Sequence, residues 1–197
     1  MIIDISKPLE ENTAVFPGDV PFSRQTTMSL ARGDSCNVSA FTASAHAGTH
    51  VDLPRHFSEV DTLPPLDAFV GPAIVINASK WEDVEKLIIP SGLRVLFKTT
   101  NSRNAHTVFD EGFSCVTAGV VRWLSDNGTV LVGVDGPSVD PADSKTLDNH
   151  HTLWQAGVAI LENLDLSGVD PGEYELIALP LRIPSADATW VRAILRQ

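Results

Sequence analysis

Cysteine is scarce in this chain. Cys36 and Cys115 are the only two in 197 residues and form no CxxC pair. That excludes a disulfide framework and reads as two reduced thiols in a cytosolic protein. No apolar run approaches the roughly 20 residues that a membrane helix needs. The opening segment, MIIDISKPLEEN, has neither a basic n-region nor a long apolar stretch. The expectation is a cytoplasmic protein with no membrane partner. Basic residues are also few: 14 Lys and Arg stand against 25 Asp and Glu, a formal charge of -11. So acidic a surface repels phosphate backbones, which argues against a nucleic-acid partner. It does not exclude a locally positive site for a small-molecule substrate. Internal repeats and low-complexity linkers are absent, and residues 1–197 read as one domain.

Hydrophobic residues make up 43% of the chain, enough for a real core. Short apolar runs predict strands at Ile2–Ile5, Val38–Ala45, Ala73–Asn77, Arg94–Lys98, Val130–Val134, Val158–Leu161, Tyr174–Leu179 and Val191–Leu195. Their Val, Ile and Leu content is that of strands buried on both faces. Thr117–Asn127 predicts a helix, with Thr117 as N-cap, Val120, Val121 and Leu124 on one face and Gly128 past its end. Shorter helices are expected at Trp81–Leu87 and at Asp148–Ala156, the latter closed by Gly157. The mixture is α/β: one compact domain with a mixed, barrel-like sheet and flanking helices.

The segment HAGTHVDLPRHF, His46 to Phe57, gathers three histidines and an aspartate. Gly48, the β-branched Thr49 and Val51, and Pro54 argue against a helix there. On an extended segment His50 and Asp52 point to one side, because side chains alternate with period two. Gly48 lets the chain turn so that His46 joins them. Imidazole nitrogen with carboxylate oxygen suits zinc, or manganese and iron at the oxygen-rich end. Two His and one Asp leave open positions, as a catalytic rather than a closed structural site does. Clustered histidines with no special function are the alternative.

A second cluster, DNHHTLWQAGVAILEN, places His150 and His151 side by side and Glu162 where an apolar strand should end. A carboxylate there is usually solvated. Beside a histidine pair it completes a second metal position, and Asp52 is the natural bridge between the two.

These residues resemble the H-x-G-[TA]-H-x-D-x-P-x-H-F signature of the metal-dependent cyclase-like hydrolases, and within them the kynurenine formamidase (arylformamidase) branch. FPGDVPF, VDGPSVDPADSKTLDNHH and PGEYELIALPLRI followed by VRAILR resemble further family segments in the expected order, so the likeness runs over nearly the whole chain. It implies a homodimer of compact α/β domains (a swivelling β/α/β type), each holding two zinc ions, with manganese as an alternative. His46, His50 and Asp52 are implied to hold one metal, and Asp52, His150 and Glu162 the other, with Asp52 bridging. His56 is implied as the acid/base; the alternative is a third ligand of the first metal. Phe16 of FPGD is implied to line the pocket for an aromatic substrate, or else it plugs the domain surface. His151 matches the second histidine of the pair and is not read as a ligand. His106 has no family counterpart and reads as an exposed loop histidine.

The implied reaction is hydrolysis of an aryl formamide, first of all N-formyl-L-kynurenine to L-kynurenine and formate. The chain departs from the family pattern at Phe16, Thr49, Gly136 and Thr189–Trp190. Of these, Gly136 and Trp190 are expected to touch the pocket. They keep open a cyclic amide such as isatin, or another small amide or lactone, as substrate. A metal-binding protein without turnover is the third reading, and His56 argues against it.

Overall fold

The computed structural model describes residues 1–197. Eleven strands form two sheets. The large one contains β1 (Ile2–Asp4), β4 (His50–Asp52), β5 (Val70–Asn77), β6 (Arg94–Lys98), β7 (Leu131–Val134), β8 (Ala159–Glu162), β9 (Gly172–Ile177), β10 (Ala188–Trp190) and β11 (Ile194–Arg196). Its order is β1-β11-β9-β5-β6-β7-β8-β4-β10. The run β5-β6-β7-β8 is parallel. Its crossovers carry α1 (Trp81–Val84), α2 (Ala118–Asp126) and α3 (Asp148–Gln155). Every other neighbouring pair is antiparallel. The sheet curls into a half-barrel: the chain beyond β1 forms a bridge, Ser6 to Leu164, just past the end of β8.

Alternation along the strands divides the core in two. Leu96, Leu131 and Leu161 pack on the inside of the curl with Val51, Leu53, Phe69 and Leu176. Val95, Phe97, Val132 and Ile160 face the helices and meet Val120, Leu124 and Leu153. Each such fully buried Leu or Phe contributes about 1.5–3 kcal/mol. Thr117 caps α2 as the sequence predicts, its side chain accepting from Val120 N at 3.3 Å. Gly128 and Gly157 adopt φ of +62° and +75° just past α2 and α3, where an L side chain is disfavoured.

Two expectations about strands are corrected, and one strand is added. Val38–Ala45 is not a doubly buried strand. Residues Val38–Thr42 form β3, paired with β2 (Ser23–Met28) in a separate two-stranded arm. Val38 and Phe41 there are 42% and 58% exposed. β2, whose sequence is SRQTTM, has no apolar pattern to announce it. Near the C-terminus the single run Val191–Leu195 is replaced by two short strands far apart in the sheet: β10 is the edge strand beside β4, and β11 lies between β1 and β9.

Candidate metal centre

The centre starts from one register. β4 runs antiparallel to β8, with His50 opposite Glu162 and Asp52 opposite Ile160. His50, Asp52 and Glu162 therefore share the helix-facing side, while Val51 and Leu161 turn into the inner core. α3 packs over β8 on that side and supplies His150. All four polar side chains are buried. Gly48, at φ +69°, turns the chain ahead of β4 and brings His46 back to the same point.

The two oxygens of Asp52 face different partners. Oδ1 lies 3.0 Å from His46 Nδ1 and 3.3 Å from His50 Nε2. Oδ2 lies 3.1 Å from His150 Nε2. Glu162 reaches both groups, with Oε2 at 3.6 Å from His50 Nε2 and Oε1 at 3.6 Å from His150 Nε2. The backbone N–H of Val139 donates to Glu162 Oε1 at 2.8 Å and fixes the carboxylate.

Each histidine is oriented from behind. His50 Nδ1 is 3.0 Å from the Gly48 carbonyl oxygen. His150 Nδ1 is 2.6 Å from Asp140 Oδ2, and His46 Nε2 is 3.3 Å from Asp187 Oδ2. Carbonyls and carboxylates only accept, so each of these ring nitrogens carries the proton. In the neutral rings the other nitrogens are lone pairs: His46 Nδ1, His50 Nε2 and His150 Nε2. All three point at the carboxylates of Asp52 and Glu162. Asp52 Oδ1 is buried and has no hydrogen-bond partner. Lone pairs facing lone pairs repel, and cations placed among them remove the repulsion. The donor set fits a metal on this ground, with Asp52 able to bridge two positions.

The same crowding governs protonation. Burial pushes His46 down, but Asp52, Glu162 and Asp187 raise it to about 9. Burial likewise opposes protonation of His150, and Asp140, Asp52 and Glu162 lift it to about 10. Glu162 is held well above the usual carboxylate range by burial and by Asp52. Asp52 is pulled well below it, because contacts with His150, His46 and His50 outweigh its burial.

His56 ends a short 3-10 turn, Pro54–His56, started by Pro54. Its ring centroid is 4.2 Å from that of His46 and 5.4 Å from that of His150. Burial pushes its imidazole down to about 4, so it is neutral at pH 7. Its ligand atoms also cluster with those of His46 and Asp52 closely enough to share an ion. A cavity of about 290 Å³ opens beside the centre, and His46, His56 and Glu162 line it. Phe16 lines it too, edge-on to Phe109 at 5.0 Å.

The remaining singled-out residues fall elsewhere. His106 is not an exposed loop histidine: it is half-buried, lines the cavity and pairs with Glu10 at 2.5 Å. His151 lies off the ligand set, against Phe57 at 5.4 Å between ring centroids. Gly136 and Trp190 are not among the cavity's lining residues. Gly136 leaves room for Asn101, whose Nδ2 would lie 2.6 Å from an added Cβ. Trp190 instead lines a second cavity with Thr49 and Arg192. Nothing in the sequence singles out Asp140 and Asp187. Asp140 lies ten residues ahead of His150, where spacing alone does not mark it, and Asp187 lies in a loop with no periodicity.

Comparison with known proteins agrees with this architecture. The Cyclase family model matches residues 3–141. A kynurenine formamidase from Bordetella avium is 42% identical over 206 residues, covering 98% of this chain and 97% of that protein. Its counterpart from Bacillus cereus is 43% identical over 202 residues, covering 98% and 96%. A solved potential metal-dependent hydrolase with cyclase activity superposes with a TM-score of 0.87 at 30% identity, covering 99% of this chain and 96% of that one.

Proposed function

This chain belongs to the Cyclase family, and from that premise we propose that it is a metal-dependent amide hydrolase that converts N-formyl-L-kynurenine to L-kynurenine and formate. One observation carries the reading: three imidazole lone pairs and two carboxylates converge with no proton donor among them in their neutral forms, at the wall of a cavity that also holds an aromatic and a neutral histidine. His46, His50 and Asp52 hold one cation, and Asp52, His150 and Glu162 the second. Zinc is the proposed metal, with manganese as the alternative the same ligands accept. When bound, such ions supply Lewis acidity toward the formyl oxygen and acidify water at neutral pH.

The chain's own groups account for the rest. Asp140, Asp187 and the Gly48 carbonyl hold the three imidazoles in the tautomer that presents a lone pair. His56, neutral at pH 7 and beside the ligand set, takes a proton from the attacking water and returns one to the leaving arylamine nitrogen. Phe16, braced by Phe109, gives the aryl ring an aromatic edge. Two identical chains form the working unit in this reading. The β2–β3 arm supports it, because Phe41 and Val38 stand exposed there. Cytoplasmic residence belongs to the same reading and is supported by two free cysteines. No helix is long and apolar enough to cross a membrane.

The test is the rate of N-formyl-L-kynurenine hydrolysis by metal-reconstituted protein against a chelator-stripped control. Turnover that disappears with the metal is expected. Metal-loaded protein that leaves this substrate intact would overturn the reading, and hydrolysis of isatin by the same sample would establish the cyclic-amide alternative.

A further inference from the structure

Lys7 is a cation that the ligand set does not use. It follows β1, where the Ser6 to Leu164 bridge brings the chain to the end of β8. Its backbone N–H donates to Thr49 Oγ1 at 2.9 Å, and Thr49 Oγ1 donates to the Asn163 carbonyl at 2.6 Å. Lys7 is thereby tied to the residues directly preceding His50 and following Glu162. Its ammonium donates to the Asp135 carbonyl at 3.0 Å and to Asn163 Oδ1 at 3.4 Å.

Both acceptors are neutral. An ammonium carries three N–H groups, so one is left over. Lys7 forms no ion pair. The nearby Asp135 carboxylate is occupied by Thr99, Asn101 and Ser102. Burial pushes the Lys7 ammonium below its usual range, and Asp135 and Asp165 only partly restore it. A half-buried charge with no carboxylate in contact costs free energy that an arriving anion offsets. Lys7 lines the same cavity as His46, Glu162 and Phe16. The other lysine there, Lys145, is exposed, and water screens it.

We propose that Lys7 is an anion subsite beside the metal centre, where its ammonium takes the carboxylate at the amino-acid end of the substrate. This inference rests on the reading of the substrate as N-formyl-L-kynurenine. Lys7 gives the cavity one half-buried cation in a chain whose formal charge is -11. Lys7 acts as a specificity residue: it rewards the carboxylate and leaves bond cleavage to the groups around the metals.

The experiment compares N-formyl-L-kynurenine with its methyl ester, which keeps the aryl formamide and the ammonium but loses the anion. Wild-type protein is expected to favour the acid in kcat/KM by about tenfold to a hundredfold, the range of a charge-assisted hydrogen bond. In K7M that preference collapses toward unity, and K7R recovers part of it. An equal loss on both substrates in K7M would overturn the proposal, since scaffolding at Asp135 and Asn163 does not distinguish an acid from its ester. Should K7M fail to fold, wild-type inhibition by L-kynurenine and its methyl ester decides. At least tenfold weaker inhibition by the ester is expected, and equal inhibition refutes the role. Formanilide separates the two levels of inference. Hydrolysis of formanilide but not of N-formyl-L-kynurenine refutes the substrate reading and this subsite with it. Equal kcat/KM on acid and ester leaves the substrate reading standing and removes Lys7 from it.

Discussion

Asp140 Oδ2 lies 2.6 Å from His150 Nδ1, and this contact settles which nitrogen of His150 faces Asp52. The same carboxylate accepts the backbone N–H groups of Asn149 and His150 at 3.0 and 3.1 Å. It thus secures the first turn of α3 and aims the His150 imidazole with one side chain. Asp140→Asn keeps the volume and replaces a charged acceptor with an amide. Metal affinity is expected to fall about 10–100-fold, the usual cost of losing a partner behind a ligating histidine. Competition against a chromophoric chelator measures this, and an unchanged affinity would show that Asp140 serves the helix alone.

Glu162 sits within the core at 3% exposure and beside the negative Asp52. Without metal its ionised form is desolvated and repelled. Glu162→Gln removes that charge and keeps an oxygen for the Val139 N–H. The stripped variant is expected to melt higher than stripped wild type by a few degrees, since about 1 kcal/mol moves a domain of this size by about 2–4 °C. The loaded variant is expected to bind metal more weakly. A lower melting temperature in the stripped state would contradict the electrostatic account.

The stripped protein is also expected to depend on pH in a defined direction. His46 and His150 have folded values of about 9 and about 10 against 6.5 for the free side chain. Groups whose values rise on folding stabilise the fold fully below the unfolded value and stop doing so as pH climbs through the folded one. Glu162, also raised, acts in the same direction. The melting temperature of stripped protein should therefore decline from about pH 6.5 to about pH 10. Metal affinity should rise over the lower part of that range, because protons compete for the same lone pairs. Thermal melts at stepped pH, with and without metal, check both slopes, and a flat profile for the stripped form counts against the convergent geometry.

The convergence of His46, His50 and Asp52 is legible in the sequence because it obeys local rules. His50 and Asp52 alternate on a strand, and Gly48 announces the turn that returns His46. The helix of Thr117–Asn127 was legible for the same reason, through its cap and its apolar face. What supports the ligands was not legible. Asp140 and Asp187 become partners of His150 and His46 only through the fold, at separations of 10 and 141 residues. The pairing of His50 with Glu162 depends on strand order, which no local pattern encodes. The polar run of β2 carries no apolar signal, and the strand expected from Val38 does form but in an arm outside the core, which its own residues do not announce. The burial of His106 is not legible because nothing nearby in sequence reveals its partner Glu10, 96 residues away.

His56 offers the sharpest division between two roles. Its ring lies beside those of His46 and His150, and its nitrogens cluster with His46 and Asp52. As a ligand it would be needed for metal retention. As a proton carrier it would be needed only for turnover, and burial already keeps it neutral, at about 4, throughout the working range. The ring lines the cavity beside the centre, and three other imidazoles already surround Asp52. We therefore expect His56→Ala to retain its full metal content by elemental analysis while kcat falls about 10²–10⁴-fold. Loss of one metal equivalent from the variant would instead make His56 a ligand and leave the proton transfer to water or to Glu162.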